Sequence, residues 1–182
     1  SKIYYIIINN VFFNLIISVL LRIFRKILSM KLDFIDFSLL NYLQQDSKQT
    51  NKELSSRLNL SVTAVYERIK KLERNGVIKK YVALLEKKHL NFGFMVFCHV
   101  KLSEHTESSI SNFEAKISLI DEVLECYHVS GEFDYLLKVM VKDMDAFRYF
   151  MINKLTSLKN IGSTQSSFTI NEVKNTTVLP VK

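Results

Sequence analysis

From Leu32 to Leu72 the apolar residues return every three or four positions, whereas from Phe94 onward they gather in short runs separated by polar helical stretches. Helices are thus expected first, and strands mixed with helices afterwards. Ile35, Leu39, Leu40 and Leu43 make one stripe along Leu32–Gln45, with Asp33 or Asp36 available as a cap. Thr50-Asn51-Lys52-Glu53 has the spacing of a capping box and opens a second helix through Leu54 and Leu58. Only Asn59-Leu60 separates that helix from Ser61, an N-cap for a third. In the third helix Val62, Val65, Ile69 and Leu72 mark the buried face, and Asn75-Gly76 supplies the left-handed residue that ends it. The tight turn predicts a helix-turn-helix. The basic, β-branched Val77–Val82 that follows reads as a wing.

The polar positions give this motif a direction. At ~100° per residue, Thr63, Ala64, Glu67, Lys70, Lys71 and Arg74 lie opposite the buried face. That surface is small at its start and basic toward its end, which suits base edges followed by phosphates. Thr63, Ala64 and Glu67 are the candidates for base contact, and Lys71 and Lys79 for phosphate contact. Arg68 sits on the flank, where a phosphate contact and an ion pair with a neighbouring acid are both open. Ser61 can cap the helix with its hydroxyl and hold a phosphate with its amide. Charge supports the reading: residues 1–29 and 30–80 each carry +4 and residues 81–182 carry −1, within a net +7. The positive excess beyond the N-terminal stretch belongs to the helix-turn-helix and its wing.

The remainder reads as strand Phe94–Leu102, helix Ser108–Ile117, strand Val123–Ser130, strand Asp134–Val141, helix Met144–Leu158 and strand Thr164–Val173. The order β-α-β-β-α-β predicts a ferredoxin-like sheet with both helices on one face, and the fold class is α+β. Val96, Val100, Tyr127, Leu137 and Val139 are too apolar for a sheet wet on its open face. The expectation is that this face closes on a second copy of the chain.

Two stretches, LSVTAVYERIKKLERNGVIKKYVALL from Leu60 and ECYHVSGEFDYLLKVMVKDMDAF from Glu125, resemble the Lrp/AsnC family of feast-or-famine transcription regulators, in wording its leucine-responsive branch. The resemblance runs from about Met30 to Val181. It implies a DNA-binding winged helix at 30–80, a linker at 81–91 with a strand around Tyr81–Leu85, and an effector-binding, oligomerising domain at 92–182. It also implies a homodimer assembling to an octamer or similar ring, with amino acids bound between C-terminal domains. On this resemblance Gly131-Glu132-Phe133-Asp134 is the effector loop. Asp134 would take the ammonium of a small amino acid, and amides around Gly131 its carboxylate. Read without the resemblance, two roles stay open: the ligand contact, and a plain turn in which Gly131 serves a hairpin and Asp134 caps it. Thr164 and Ser166 offer hydroxyls for a second wall. The family's Pro-Gly turn ahead of them is Leu158–Ile161 here, so leucine is not carried over as the effector.

Other chemistry finds little support. Cys98 and Cys126 are expected to be separated by a strand, and the histidines, four in number, lack ligand spacing, so neither a disulfide nor a metal site is expected. No cofactor is expected, and two free thiols suit a reducing cytoplasm. Ile3–Leu21 holds fifteen apolar residues in nineteen, long enough as a helix to span ~28 Å, and Arg22, Arg25 and Lys26 follow it. Asn9, Asn10 and Asn14 interrupt the run, so residues 1–29 are expected to lie outside a native fold beginning at Met30; a membrane-tethered regulator is the alternative. The function expected is a DNA-binding transcriptional regulator whose assembly and DNA affinity respond to a small amino acid, and not an enzyme. Its alternatives are a sirohaem decarboxylase of the same build and an amino-acid sensor without DNA binding.

Overall fold

The computed structural model of the protein describes residues 31–182, so the apolar N-terminal stretch and the expected start at Met30 lie outside the described residues. Helix α1, Phe34–Gln45, opens on a reciprocal box: Asp33 accepts the Asp36 amide at 2.8 Å while Asp36 accepts the Asp33 amide at 3.2 Å. Helix α2, Asn51–Leu58, opens on the expected Thr50/Glu53 box and closes on Asn59 at φ 57°. Helix α3, Val62–Arg74, is capped by the Ser61 hydroxyl, which accepts the Ala64 amide at 3.1 Å. At its far end Gly76 takes φ 72°, its amide donates to Glu73, and the Val77 amide donates to Leu72. This paired closure needs a left-handed residue, hence glycine.

Leu39, Leu54 and Val65 are fully buried and, with Leu40, Ile69 and Leu72, form the three-helix core. Val62 departs from the expected stripe and is 46% exposed. It occupies the first helical position, beside a turn too short to bring packing residues over it. The segment read as a wing also differs. Val77 and Ile78 tuck against the three-helix core, but residues 79–86 form no strand. An extended segment needs a partner ladder to become one, and among the described residues no strand ladder forms along it. The linking strand expected around Tyr81–Leu85 is absent for the same reason.

The chain divides into two units, of which the first includes Thr176–Lys182 as well as the residues up to Ala83, and the second is Leu84–Asn175. The C-terminal tail therefore belongs with the helix-turn-helix, where sequence reasoning had placed it in the C-terminal domain.

In the second unit a short 3-10 turn, Lys87–Leu90, leads to strand β1, Phe94–Leu102. Helix α4, Glu107–Ile117, strands β2, Val123–His128, and β3, Tyr135–Val141, and helix α5, Met144–Phe150, follow. Helix α5 runs on through a π-helical turn, Met151–Leu155, whose Met151 carbonyl accepts the Thr156 amide at 2.9 Å. The sheet is antiparallel in the order β2-β3-β1-β4, the expected βαββαβ topology. Strand β4 is Ile161–Phe168, starting and ending earlier than Thr164–Val173. Asn160, left-handed at φ 71°, ends the preceding turn, and Ile161 pairs at once with Leu102. Beyond Thr169 the polar Asn171–Asn175 find no ladder.

Val96, Val100, Leu137 and Val139 are fully buried in the core with Phe113, Phe147 and Phe150 of the helices. They line the helix-covered face of the sheet, which corrects their assignment to the open one. Registered neighbours in an antiparallel sheet share a face. The open face therefore carries Met95, Phe97 and His99 of β1, Leu136 and Lys138 of β3, and Glu125 and Tyr127 of β2.

Candidate nucleic-acid interface and ligand loop

The exposed side of α3 combines small, polar and basic groups on one rigid rod. Thr63 and Glu67 are exposed, Ala64 and Lys71 half-buried, and Arg74, Lys79 and Lys80 exposed. Lys71, Arg74, Lys79 and Lys80 make no ion pair among the described residues, so their charge faces outward. Lys70 differs: its Nζ lies 2.7 Å from Glu73 Oε2, which raises the lysine pKa and lowers that of the glutamate. Glu73 also accepts the Tyr81 hydroxyl at 3.2 Å. Sequence reasoning passed over Tyr66, whose ring is 46% exposed on this helix with Lys70 Nζ 5.8 Å from its centroid. An aromatic at a non-stripe position of a recognition helix was the available signal.

Arg68 takes the ion-pair alternative. Its Nη1 donates to Asp33 at 2.8 Å and to Asp36 at 2.6 Å, and the Asp36 side chain is only 1% exposed. A buried carboxylate needs a counter-charge far more than a surface arginine needs a phosphate. The Asp36 amide, and then Arg68, hold the Asp33 carboxyl below its ordinary value. One guanidinium thus joins the start of α1 to the recognition helix.

In the second unit the Val129 amide donates to the Asp134 carbonyl at 2.8 Å, closing a loop in which Gly131 has φ 141°. A Cβ there would meet nothing within 4 Å, so backbone conformation alone asks for glycine. Phe133 packs its ring 5.2 Å from that of His99 on the open face. Asp134 is half-buried and engaged: Oδ2 accepts the Leu102 amide at 2.7 Å, and Oδ1 lies 3.0 Å from Nε2 of the exposed His105. The Leu102 amide first, and His105 after it, lower its pKa. Next to this pair, Thr106 caps α4, and the buried Ser109 hydroxyl accepts from Asn160 Nδ2 at 3.0 Å.

Thr164 stands opposite Val100 and Ser166 opposite Cys98, both half-buried on the helix-covered side, with Ser166 Oγ 3.8 Å from Cys98 Sγ. The Asp134 amide donates to the carbonyl of that same Val100 from the β3 side. Asp134 and Thr164 therefore flank one residue from opposite sides, two strand spacings or ~10 Å apart. Gly131 and Asp134 share a loop, and Thr164 and Ser166 share a strand, but one chain does not converge all four on one small ligand. Cys98 and Cys126 lie on strands separated by β3 and are free thiols. Among the described residues no metal-binding cluster forms, and no helix is long and apolar enough to cross a membrane.

Comparison with known proteins also finds two parts, the second running on into the tail. A winged helix-turn-helix DNA-binding model matches residues 32–79, and the Lrp/AsnC ligand binding domain matches residues 95–179. The leucine-responsive regulatory protein of Salmonella typhimurium is 39% identical over 151 residues, covering 83% of this chain and 92% of that protein. A transcriptional regulator of Neisseria meningitidis, crystallised in complex with L-Met, is 37% identical with a TM-score of 0.79, covering 82% of this chain and 97% of its own. An AsnC family transcriptional regulator from Agrobacterium tumefaciens is 34% identical with a TM-score of 0.78 over the same shares, 82% and 97%.

Proposed function

The chain belongs to the Lrp/AsnC family of DNA-binding transcription regulators, and from that premise we propose how its own residues divide the work. Thr63, Ala64 and Glu67 approach base edges, with the exposed ring of Tyr66 offering an apolar contact to a thymine methyl. Lys71 and Lys79 meet phosphates, and the Ser61 amide adds one at the helix start. Arg68 acts on DNA at second hand, by fixing α3 against α1.

The ligand is a small, apolar amino acid. The Neisseria relative holds L-Met, which makes L-methionine the first probe. Its ammonium would displace the exposed His105 from Asp134 Oδ1, while Oδ2 stays on the Leu102 amide and keeps the loop in place. Amides around Gly131 receive its carboxylate. Because Thr164 lies ~10 Å off and Ser166 farther along the same strand, the hydroxyl wall of one pocket comes from another copy of the chain. The open sheet face, with Met95, Phe97, Leu136 and Tyr127, supplies the apolar surface on which copies first pair. These pairs assemble further into rings of the octameric kind.

The observation that carries the DNA reading is the capped α3 with a basic end that makes no ion pair among the described residues. Its test is titration of DNA from upstream of the protein's own gene across a salt series, with and without L-methionine. Affinity should fall steeply with salt, and L-methionine should change it. Salt-independent binding would reject the phosphate-tracking face. An unchanged affinity, with no heat of L-methionine or L-leucine binding, would reject the ligand.

A further inference from the structure

The last residues of the chain are held on α1 by a side-chain ladder that neither DNA binding nor ligand binding requires. Gln44 treats Leu179 as an adjacent strand would: its Nε2 donates to the Leu179 carbonyl at 3.1 Å, and its Oε1 accepts the Leu179 amide at 2.7 Å. One turn earlier on the same helix face, Asn41 Nδ2 donates to the Val181 carbonyl at 3.3 Å. Pro180, lacking an N–H, sits at the centre of a tight turn closed by the Val181 amide on the Leu179 carbonyl at 2.9 Å. That turn directs Val181 against the core of Leu39, Leu54 and Val65, where it is half-buried. Both backbone groups of Leu179 and the Val181 carbonyl are thereby engaged by α1, and the Val181 side chain by the three-helix core.

The other end of this segment is β4. After Phe168 the Thr169 amide still donates to Met95 in the second unit, and Glu172 pairs with Lys87 at 2.9 Å within that unit, before the chain joins the first unit at Thr176. The chain thus passes between the units a second time, in addition to the crossing from Ala83 to Leu84. The strand that returns is the one bearing Thr164 and Ser166.

We propose that the Asn41/Gln44 face of α1 is a docking surface for the chain's own C-terminal tail, and that this strap ties β4 to the winged helix as a route of coupling between ligand and DNA. The coupling half rests on the ligand reading given above; the docking half does not. Because the contacts are amide hydrogen bonds and one apolar side chain, docking should resist salt, whereas DNA binding should not.

Amide hydrogen exchange on the full chain tests docking. The Leu179 and Val181 amides should exchange at least about tenfold more slowly than those of residues 174–176, at low and high salt alike. The Gln44→Ala variant should remove that protection while β1 keeps its own. Unprotected Leu179 in the wild type would overturn the proposal, as would protection unaffected by Gln44→Ala and by Gln44→Leu. For coupling, the ratio of DNA affinities with and without L-methionine is measured in wild type, in Gln44→Ala and in a chain ending at Asn175. The expected result is a ratio falling toward one in both variants, with L-methionine affinity in the absence of DNA retained. A ratio equal to wild type would overturn the coupling role. If L-methionine has no effect even on the wild type, the ligand reading fails by itself; coupling is then read from DNA alone, which should slow Leu179 exchange, and its failure to do so would overturn it.

Discussion

The recognition helix and the ligand loop are both candidate binding surfaces, yet their polar groups are in opposite conditions. The basic groups at 71 and 74 of α3, and at 79 and 80 beyond its end, make no ion pair among the described residues, while the helix itself is capped at both ends. At the loop, Asp134 already has an amide on one oxygen and a histidine at the other. A surface for a polyanion can remain fully charged in water because exposed charges need no partner. A half-buried carboxylate cannot, so a ligand must exchange for a partner already present. On the function proposed above, the first surface is ready in one chain and the second is completed by another copy.

The most disruptive way to separate the two is through their cores. Leu54→Ala and Leu137→Ala each empty a fully buried position in a different unit and should each cost about 2–5 kcal/mol. Thermal melting with residue-resolved exchange should show Leu54→Ala losing protection in α1–α3 and losing DNA binding, with β1 and β3 still protected. Leu137→Ala should do the reverse. Simultaneous loss throughout the chain in both variants would show that the units do not fold separately.

Arg68→Ala comes next, because it strands the buried Asp36. We expect a loss of about 1–3 kcal/mol in the first unit, measured by denaturant unfolding, and weaker DNA binding with an unchanged salt slope. Acid sharpens the test. Asp33 is held below its ordinary 3.8, and a lowered acid adds stability that is complete above the unfolded value and lost as pH falls through the folded one. Its contribution in wild type should persist until the pH is below about 3.8. In Arg68→Ala that loss should move to higher pH, since part of the depression is gone. An unmoved acid limb would show that the Asp36 amide alone sets it.

These pairings also show what a sequence can carry. The caps of α1, α2 and α3 were legible because each signal and its target lie within three residues, and the sheet order followed from alternation and spacing. Arg68 was undecided because its partners lie 32 and 35 residues away, beyond any local pattern. The face of Val96 and Val100 was misread for a related reason: alternation separates two faces but does not say which one the helices cover. The tail was missed because Leu179-Pro180-Val181 has no periodicity, and its docking depends on amides far away on α1. The loop glycine was visible, whereas the engagement of both Asp134 oxygens arises from β1 and from the segment after it.

Asp134 carries an expected effect on stability no larger than that of Arg68. Asp134→Ala leaves the Leu102 amide unsatisfied and should cost about 1–3 kcal/mol, whereas Asp134→Asn keeps a carbonyl for that amide and should cost less. Both should bind DNA as wild type does and lose the response to L-methionine. If Asp134→Asn responds normally, the carboxylate is a structural cap, as the hairpin reading of the loop holds.

The finest test compares two adjacent lysines of the same helix. Lys70 is bound to Glu73, whereas Lys71 has no acidic partner among the described residues and lies nearer the far flank of the basic face. A phosphate contact contributes about one unit to the slope of log affinity against log salt, but only if the cation is free to make it. Lys71→Ala should therefore flatten that slope by roughly one, with weakening similar for all DNA sequences. Lys70→Ala should change it by much less, since an exposed lysine bound to a neighbouring glutamate has little net charge to offer. The double variant Lys70→Ala/Glu73→Ala should restore the wild-type slope to within error, because it removes a self-neutralised pair. Equal slopes for Lys70→Ala and Lys71→Ala would mean that Glu73 releases its lysine on DNA, making Lys70 as available to phosphate as Lys71.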